Sequence, residues 1–215
     1  MQWTVVVPLK ALARAKSRLS DTAADGLRPG LALAFAQDTV AAVLACAAVR
    51  EAAVVTDDPL AGRELAALGA RIVADEPGDG LNAALVHAES VVRRQRPGRA
   101  LAALNADLPA LRPAELARVL DEAAAFPRAF LPDTAGIGTT LLAAAPGHAL
   151  RPAFGADSRV RHRASGAREL VLDAVDSVRQ DVDTGDDLRA ALALGVGPRT
   201  ALVAARLLIP DGPTG

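Results

Sequence analysis

Cysteine and long apolar runs are both scarce in this 215-residue chain. The single cysteine, Cys46, rules out a disulfide framework and a cysteine-based zinc site, and we interpret it as a core residue. The nearest approach to the roughly 18 to 20 apolar residues of a membrane span is the run 31–49, which Gln37 and Asp38 interrupt. The N-terminus opens directly on a strand-like run without a signal pattern, so we expect a cytoplasmic protein with no membrane partner.

Aromatic residues and net charge are also low. Aromatic side chains make up 2% of the chain, tyrosine is missing, and the formal net charge is −1. General nucleic-acid binders need a broad basic surface, and single-strand binders add aromatic stacking. We therefore expect no nucleic-acid partner, and any anion site must be local.

The two common phosphate-binding glycine motifs are missing as well. Neither G-x-x-x-x-G-K-S/T nor G-x-G-x-x-G follows the first predicted strand, "TVVVPL". Four cations follow it instead: Lys10, Arg14, Lys16 and Arg18. This loop is either a solvated basic stretch or a site where side chains, instead of glycine amides, bind phosphate.

The hydrophobic pattern predicts one α/β domain over residues 1–210 and a flexible tail over 211–215. Strand-like runs alternate with helical ones in the order βαβαβαβα, which is typical of a mostly parallel sheet with helices on both faces. After residue 127, "RAFLPD" and "GTTLLAAA" are predicted to pair as neighbouring strands. A last strand is predicted over 177–183, before the helix "GDDLRAALALG".

Carboxylates follow two of the predicted strands, at the sheet edge where ligands bind in such folds. Asp107 follows the fourth strand and either caps the next turn or binds Mg²⁺. Strand alternation over 177–183 would place Asp181 and Asp183 on one face, where a divalent cation would relieve their repulsion. Asp186 and Asp187 are interpreted as first-turn charges of the next helix.

A second anion site is predicted from the glycines and arginines after residue 135. Gly136, Gly138 and Gly155 permit close backbone approach, although turns explain them equally well. Thr139 and Ser158 add hydroxyls. Arg159, Arg161, His162 and Arg163 fall within five residues, and His162 is a candidate hydrogen-bond partner of a ligand carboxylate.

Taken together, these stretches resemble the guanylyltransferases of coenzyme F-420 biosynthesis, which attach GMP to phosphoenolpyruvate or 2-phospho-L-lactate. The motifs of that family occur here in the same order: "VPLKALARAKSRL", "GLNAAL", "ADLPAL", "GTTL", "FGADS", "RH", "SGA" and "DVDT". The resemblance runs from residue 5 to about 200. One departure is Gly185, where family members often have proline.

The resemblance implies a Rossmann-like nucleotidyltransferase fold, similar to molybdenum-cofactor guanylyltransferase, and a role for each motif. It implies that Lys10, Arg14, Lys16 and Arg18 hold the GTP phosphates, with Gly80 and Asn82 at the guanosine. Asp107, Asp181 and Asp183 would bind Mg²⁺, and Lys10, Lys16, Arg18 and Asp107 would carry catalysis. Thr139, Gly155 and Ser158, with Arg161 and His162, would bind the phosphorylated three-carbon acid.

The expected reaction needs no strong base, because a phosphate monoester is mostly a dianion at pH 7 and can itself attack the α-phosphorus of GTP. A downstream transferase would receive the unstable product. The acid stays open among phosphoenolpyruvate, 2-phospho-L-lactate and 3-phosphoglycerate, as does homodimerisation. The alternatives are a cytidylyl- or sugar-nucleotide transferase of the same fold, or a non-catalytic nucleotide-binding protein.

Overall fold

A computed structural model describes residues 1–12, 28–76 and 78–207. The strands are β1 (Trp3–Pro8), β2 (Val49–Val55), β3 (Arg71–Val73), β4 (Ala100–Leu104), β5 (Arg128–Pro132), β6 (Thr139–Ala144) and β7 (Arg168–Glu169). The helices are α1 (Arg28–Ala45), α2 (Pro59–Ala67), α3 (Leu81–Gln95), α4 (Pro113–Ala123), α5 (Ser158–Ala164), α6 (Asp176–Arg179), α7 (Gly185–Leu194) and α8 (Pro198–Leu207). The predicted tail over 211–215 lies outside the described residues.

One seven-stranded sheet organises these elements, in the order β3-β2-β1-β4-β6-β5-β7. Strands β1 to β4 pair in parallel, whereas β6 runs antiparallel between β4 and β5. The predicted α/β fold with a mostly parallel, mixed sheet is thereby confirmed. The predicted pairing of the two strands after residue 127 is confirmed too.

Helices cover both faces of the sheet, as predicted. Alternating residues of β1 show this directly: Trp3, Val5 and Val7 pack into the cluster that includes α1, α2 and α4 residues, and Val6 packs into the cluster that includes α3. This two-sided burial explains the continuous apolar run of the first strand. Of the helices in the described ranges, none is both long enough and apolar enough to span a membrane.

Asp38 explains the polar break in the apolar helix α1. Its buried carboxylate accepts hydrogen bonds from Arg199 N at 3.3 Å and Thr200 N at 2.7 Å, at the start of α8. Gly197 makes room for this contact, since a Cβ there would lie 2.3 Å from Asp38 Cγ. The carboxylate thus supplies acceptors for amides in the first turn of α8.

The predicted strand over 177–183 is wrong. Residues 176–179 form the short helix α6, and 180–184 have no strand pairing. Helix α7 then begins at Gly185 with a capping box, in which the Thr184 hydroxyl accepts from Asp187 N and Asp187 accepts from Thr184 N at 2.8 Å. This box fixes the helix start without the proline of the related family.

Candidate functional site

Two adjoining cavities open beyond the carboxyl ends of the parallel strands. The first has a volume of about 270 Å³ and the second about 580 Å³. Lys10 and Leu81 line both of them. Ligands bound in the two cavities would therefore lie next to each other.

Lys10 is held at this junction by its neighbours in the chain. Leu9 N–H donates to Val55 C=O at 2.9 Å, and Leu12 N–H donates to Asp58 Oδ2 at 2.9 Å. Hydrogen bonds from the amides of Ala61, Leu12 and Leu60 lower the pKa of Asp58 and keep it an acceptor. The other predicted phosphate-binding cations, Arg14, Lys16 and Arg18, lie outside the described residues.

The first cavity is bounded by the start of α3 and the ends of β1, β2 and β3. Gly80 stands at the N-cap of α3 with φ of 89°, a conformation that favours glycine. Asp57 and Asp75 also line this cavity. The Oδ1 atom of Asp75 is buried, and no residue in the described ranges hydrogen bonds to it.

Two of the three aspartates predicted to bind metal line the second cavity, and the backbone of the third, Asp107, contacts their segment. Val182 N–H donates to Asp107 C=O at 3.0 Å, which ties the segment 181–183 to the end of β4. Val182 is fully buried, and Asp181 and Asp183 on either side of it line the second cavity. Asn105, whose role sequence reasoning missed, donates its side-chain amide to Asp181 Oδ2 at 3.4 Å.

Asp181 and Asp183 therefore share a cavity although the predicted strand is missing. The buried Val182 between them is enough to direct both neighbouring residues the same way. Across residues 1–12, 28–76 and 78–207, no group of three His, Cys, Asp or Glu residues is arranged to hold a metal ion. The metal site stays a prediction.

The wall of the second cavity also contains Gly138, Thr139, Gly155 and Ser158. Asp133, which sequence reasoning missed, accepts from Ile137 N at 2.9 Å and Gly138 N at 2.8 Å, and so shapes the turn before Thr139. A Cβ at Gly138 would lie 2.4 Å from Asp133 Oδ2, so this turn requires glycine.

The loop before α5 completes this wall. Gly155 has φ of 111°, and Ser158, with 2% exposure, donates its backbone N–H to Gly155 C=O at 3.1 Å. Arg161 Nη2 donates to Phe154 C=O at 3.2 Å. The predicted acid-binding residues Thr139, Gly155 and Ser158 thus line one surface, with Arg161 beside it.

His162 is enclosed by protein, so neither of its ring nitrogens is free for the predicted contact with a ligand carboxylate. Its side chain is 0% exposed, and both ring nitrogens are used: Nδ1 lies 3.0 Å from Thr139 Oγ1, and Nε2 accepts from Ala153 N at 3.0 Å. Burial, with the charges of Arg128 and Arg161, lowers the pKa of His162 to about 4. The ring is neutral and lies behind the cavity wall.

The predicted anion site over 159–163 is largely an internal ion-pair cluster. Arg159 contacts Glu169 at 2.7 Å, and Arg163 contacts the other Glu169 oxygen. These cations lower the pKa of Glu169, and Glu169 raises the pKa of Arg159. Arg159 also donates to Gly136 C=O at 2.7 Å, which fixes the turn before Gly138.

Asn82, predicted to contact the guanosine, joins the start of α3 to the loop before α5. Its amide donates to Phe154 C=O at 3.1 Å and accepts from Phe154 N at 2.8 Å. These paired bonds hold the Gly155 loop against the start of α3. The sequence does not predict this contact, because Asn82 and Phe154 are 72 positions apart in the chain.

Known proteins resemble this chain in sequence and in fold. The family described as "Guanylyl transferase CofC like" matches residues 3–203. The chain is 81% identical to a phosphoenolpyruvate guanylyltransferase of Streptomyces avermitilis, over 100% of this chain and 99% of that protein. It is also 81% identical to one of Streptomyces coelicolor, over 97% and 99%. A solved nucleotidyl transferase from Methanothermobacter thermautotroptrophicus has the same fold, with a TM-score of 0.61 and 22% identity over 89% of this chain and 97% of that one.

Proposed function

Because the chain belongs to the CofC-like guanylyl transferase family, we propose that it transfers GMP from GTP to phosphoenolpyruvate in coenzyme F-420 biosynthesis. The observation that carries the proposal is the pair of adjoining cavities that share Lys10, with Asp181 and Asp183 on the wall of the larger one. Relatives at 81% identity are named for phosphoenolpyruvate, which favours that acid over 2-phospho-L-lactate and 3-phosphoglycerate.

In the proposed reaction, a phosphate oxygen of the acid attacks the α-phosphorus of GTP. The bond from that phosphorus to the bridging oxygen breaks, and pyrophosphate leaves with the electron pair. The attacking phosphate is already mostly dianionic at pH 7, so no side chain has to remove a proton. A neutral, buried His162 is consistent with this.

The chain's own groups would position two polyanions against each other. Lys10 at the shared edge would contact phosphates from both ligands, and Arg14, Lys16 and Arg18, which follow it in the sequence, would extend that positive charge. Thr139, Ser158 and the Gly155 backbone would bind the acid, with Arg161 nearby. Holding both ligands in line supplies a large part of the rate enhancement in such transfers.

We include a magnesium ion in the proposal, because two of its three predicted ligands share one cavity wall. Asp181 and Asp183 line the same cavity, and Asp107 is joined to their segment by a backbone hydrogen bond. Mg²⁺ prefers one or two carboxylates together with substrate phosphate oxygens. When bound, it would neutralise charge on the phosphates.

The first cavity would bind the guanosine, with Asp75 as the group that reads the base. A carboxylate can accept from the adjacent N1–H and 2-amino donors of guanine at once, and the buried Asp75 Oδ1 offers an acceptor there. Inosine triphosphate lacks the 2-amino group. The wild-type protein should therefore prefer GTP over inosine triphosphate.

Asp75→Asn should remove that preference, because an asparagine amide presents a donor to one of the two guanine donors. We expect KM for GTP to rise about tenfold and the GTP-to-inosine triphosphate ratio of kcat/KM to approach one. Asp57 lines the same cavity, so Asp57→Asn is the matched control and should keep the ratio. An unchanged ratio in Asp75→Asn would show that another group reads the base.

A pyrophosphate-release assay tests the function itself. Purified protein is mixed with Mg²⁺ and each of the four nucleoside triphosphates, together with phosphoenolpyruvate, 2-phospho-L-lactate, 3-phosphoglycerate or a sugar phosphate. We expect turnover to be fastest with GTP and phosphoenolpyruvate. Turnover with CTP and a sugar phosphate would favour the alternative transferase, and nucleotide binding without turnover would favour a non-catalytic role.

We further propose that a downstream transferase takes up the reactive product.

A further inference from the structure

We propose that His162 is a positioning residue that holds the Thr139 hydroxyl as a hydrogen-bond donor directed at the second cavity, and so selects an acceptor oxygen of a phosphate or carboxylate. The identity of the ligand that Thr139 would contact rests on the proposed function. The orientation of His162 and Thr139 does not rest on it, because that orientation follows from contacts among residues of the chain.

The protonation of the ring follows from its partners. A backbone N–H can only donate, so Nε2, which lies 3.0 Å from Ala153 N, must be the acceptor. In a neutral imidazole the other nitrogen then carries the proton. Nδ1 therefore donates to Thr139 Oγ1, which lies 3.0 Å away.

The opposite tautomer is disfavoured because two donors would face each other at Ala153. One buried N–H group would then lose its hydrogen bond, which is costly in a protein interior. The ring cannot rotate to escape this conflict easily. Phe130 and Phe154 pack against it, with ring centroids 5.8 Å and 5.0 Å away, and the side chain is fully buried.

A second proton on the ring is disfavoured by the charges around it. Arg128 is held close by bonds from its guanidinium to Leu150 C=O at 2.7 Å and Ser165 C=O at 2.9 Å. Arg161 approaches from the same helix as His162. Both cations oppose an imidazolium, so the single-tautomer, neutral ring is the state that faces Thr139.

The consequence for Thr139 is a fixed direction of its own proton. The hydroxyl has one hydrogen and accepts the Nδ1–H bond through a lone pair, so its O–H must point away from the ring. Thr139 lines the second cavity and begins β6, where it pairs with Pro132 of β5. A donor fixed at this place favours an oxygen that can only accept, which an ionised phosphate or carboxylate supplies.

Two conservative variants separate this role from simple packing. Asparagine can place an N–H near the position of Nδ1, which keeps the donor to Thr139 and loses the acceptor for Ala153. Glutamine reaches the position of Nε2, which keeps the Ala153 contact and loses the donor to Thr139. Thermal unfolding of both variants establishes that each one folds.

We expect His162→Gln to raise KM for phosphoenolpyruvate about tenfold and His162→Asn to keep it within about twofold, with KM for GTP unchanged in both. Thr139→Val should raise the same KM by about the same factor, and adding His162→Gln to it should bring no further rise. Equal effects of the glutamine and asparagine variants, or additive effects in the double variant, would overturn the proposal.

Calorimetric binding of phosphoenolpyruvate and of inorganic phosphate separates this inference from the proposed function. A wild-type protein that binds either anion but does not release pyrophosphate would end the proposed function only. The anion affinity of His162→Gln against His162→Asn would then decide the positioning role. If the wild-type protein binds neither anion, the positioning role is overturned as well.

Discussion

We expect Asp183→Asn to lower kcat for the proposed GMP transfer by about 100- to 1,000-fold and to leave the fold intact. Asp183 is exposed at the wall of the second cavity, so asparagine changes its charge without changing its size or opening the core. Removing one group that stabilises transition-state charge commonly costs two to three orders of magnitude in kcat. Asp107→Asn should also lower kcat, since the Asp107 carbonyl accepts a hydrogen bond from Val182, which lies between Asp181 and Asp183.

The measurement is kcat at saturating GTP and phosphoenolpyruvate over a range of Mg²⁺ concentrations, with urea unfolding in parallel. If the carboxylate helps to hold the metal, the variant should also need more Mg²⁺ to reach half of its maximal rate. Its unfolding free energy should stay within about 0.5 kcal/mol of wild type, as for most surface substitutions.

Asp186→Asn is the matched control for this prediction. Asp186 is exposed three residues further on, pairs with Arg189 on the surface of α7 and does not line either cavity. The same substitution there should leave kcat within about twofold. Near-normal rates in both Asp107→Asn and Asp183→Asn would show that the metal, or the chemistry, lies elsewhere.

The sheet was predictable from the sequence because its pattern is local. The continuous apolar run of β1 and the alternation of strands with helices are set by residues close together in the chain, and the structure confirms both. Val178 and Val182 are the only apolar residues of the segment 177–183, so its local pattern does not distinguish a strand from a short helix. Tertiary contacts determine its structure: Ser177 bonds to Glu115 of α4, and Val182 bonds to Asp107.

The residues of the candidate site were predicted better than their contacts. Asp181, Asp183, Thr139 and Ser158 do meet at one cavity, although their roles remain predictions. Asn82 was assigned to the nucleotide alone because a sequence does not show that its amide pairs with Phe154. Polar residues in a functional motif serve either the ligand or the loop that holds the ligand, and only the fold distinguishes the two.

We expect His162 to make the folded protein less stable in mild acid. Its pKa in the folded protein is lowered to about 4, from an ordinary value near 6.5, by burial and by Arg128 and Arg161. Between these two values the unfolded chain binds a proton at this residue that the folded chain does not bind. The unfolding free energy must therefore fall as the pH drops from about 6.5 to about 4. Below pH 4 His162 causes no further decrease.

A shift of this size corresponds to at most about 3 kcal/mol. Urea unfolding at intervals from pH 7 to pH 5.5 measures the upper part of this fall, above the pH at which Glu169 and Asp58, whose pKa values are lowered, begin to lose their contributions. His162→Asn should be less stable at pH 7 but should lose less over this range. His148→Asn, which removes an exposed histidine, is the matched control. Parallel curves for wild type and His162→Asn would mean that the folded protein accepts the proton at His162, and the neutral ring behind Thr139 would have to be abandoned.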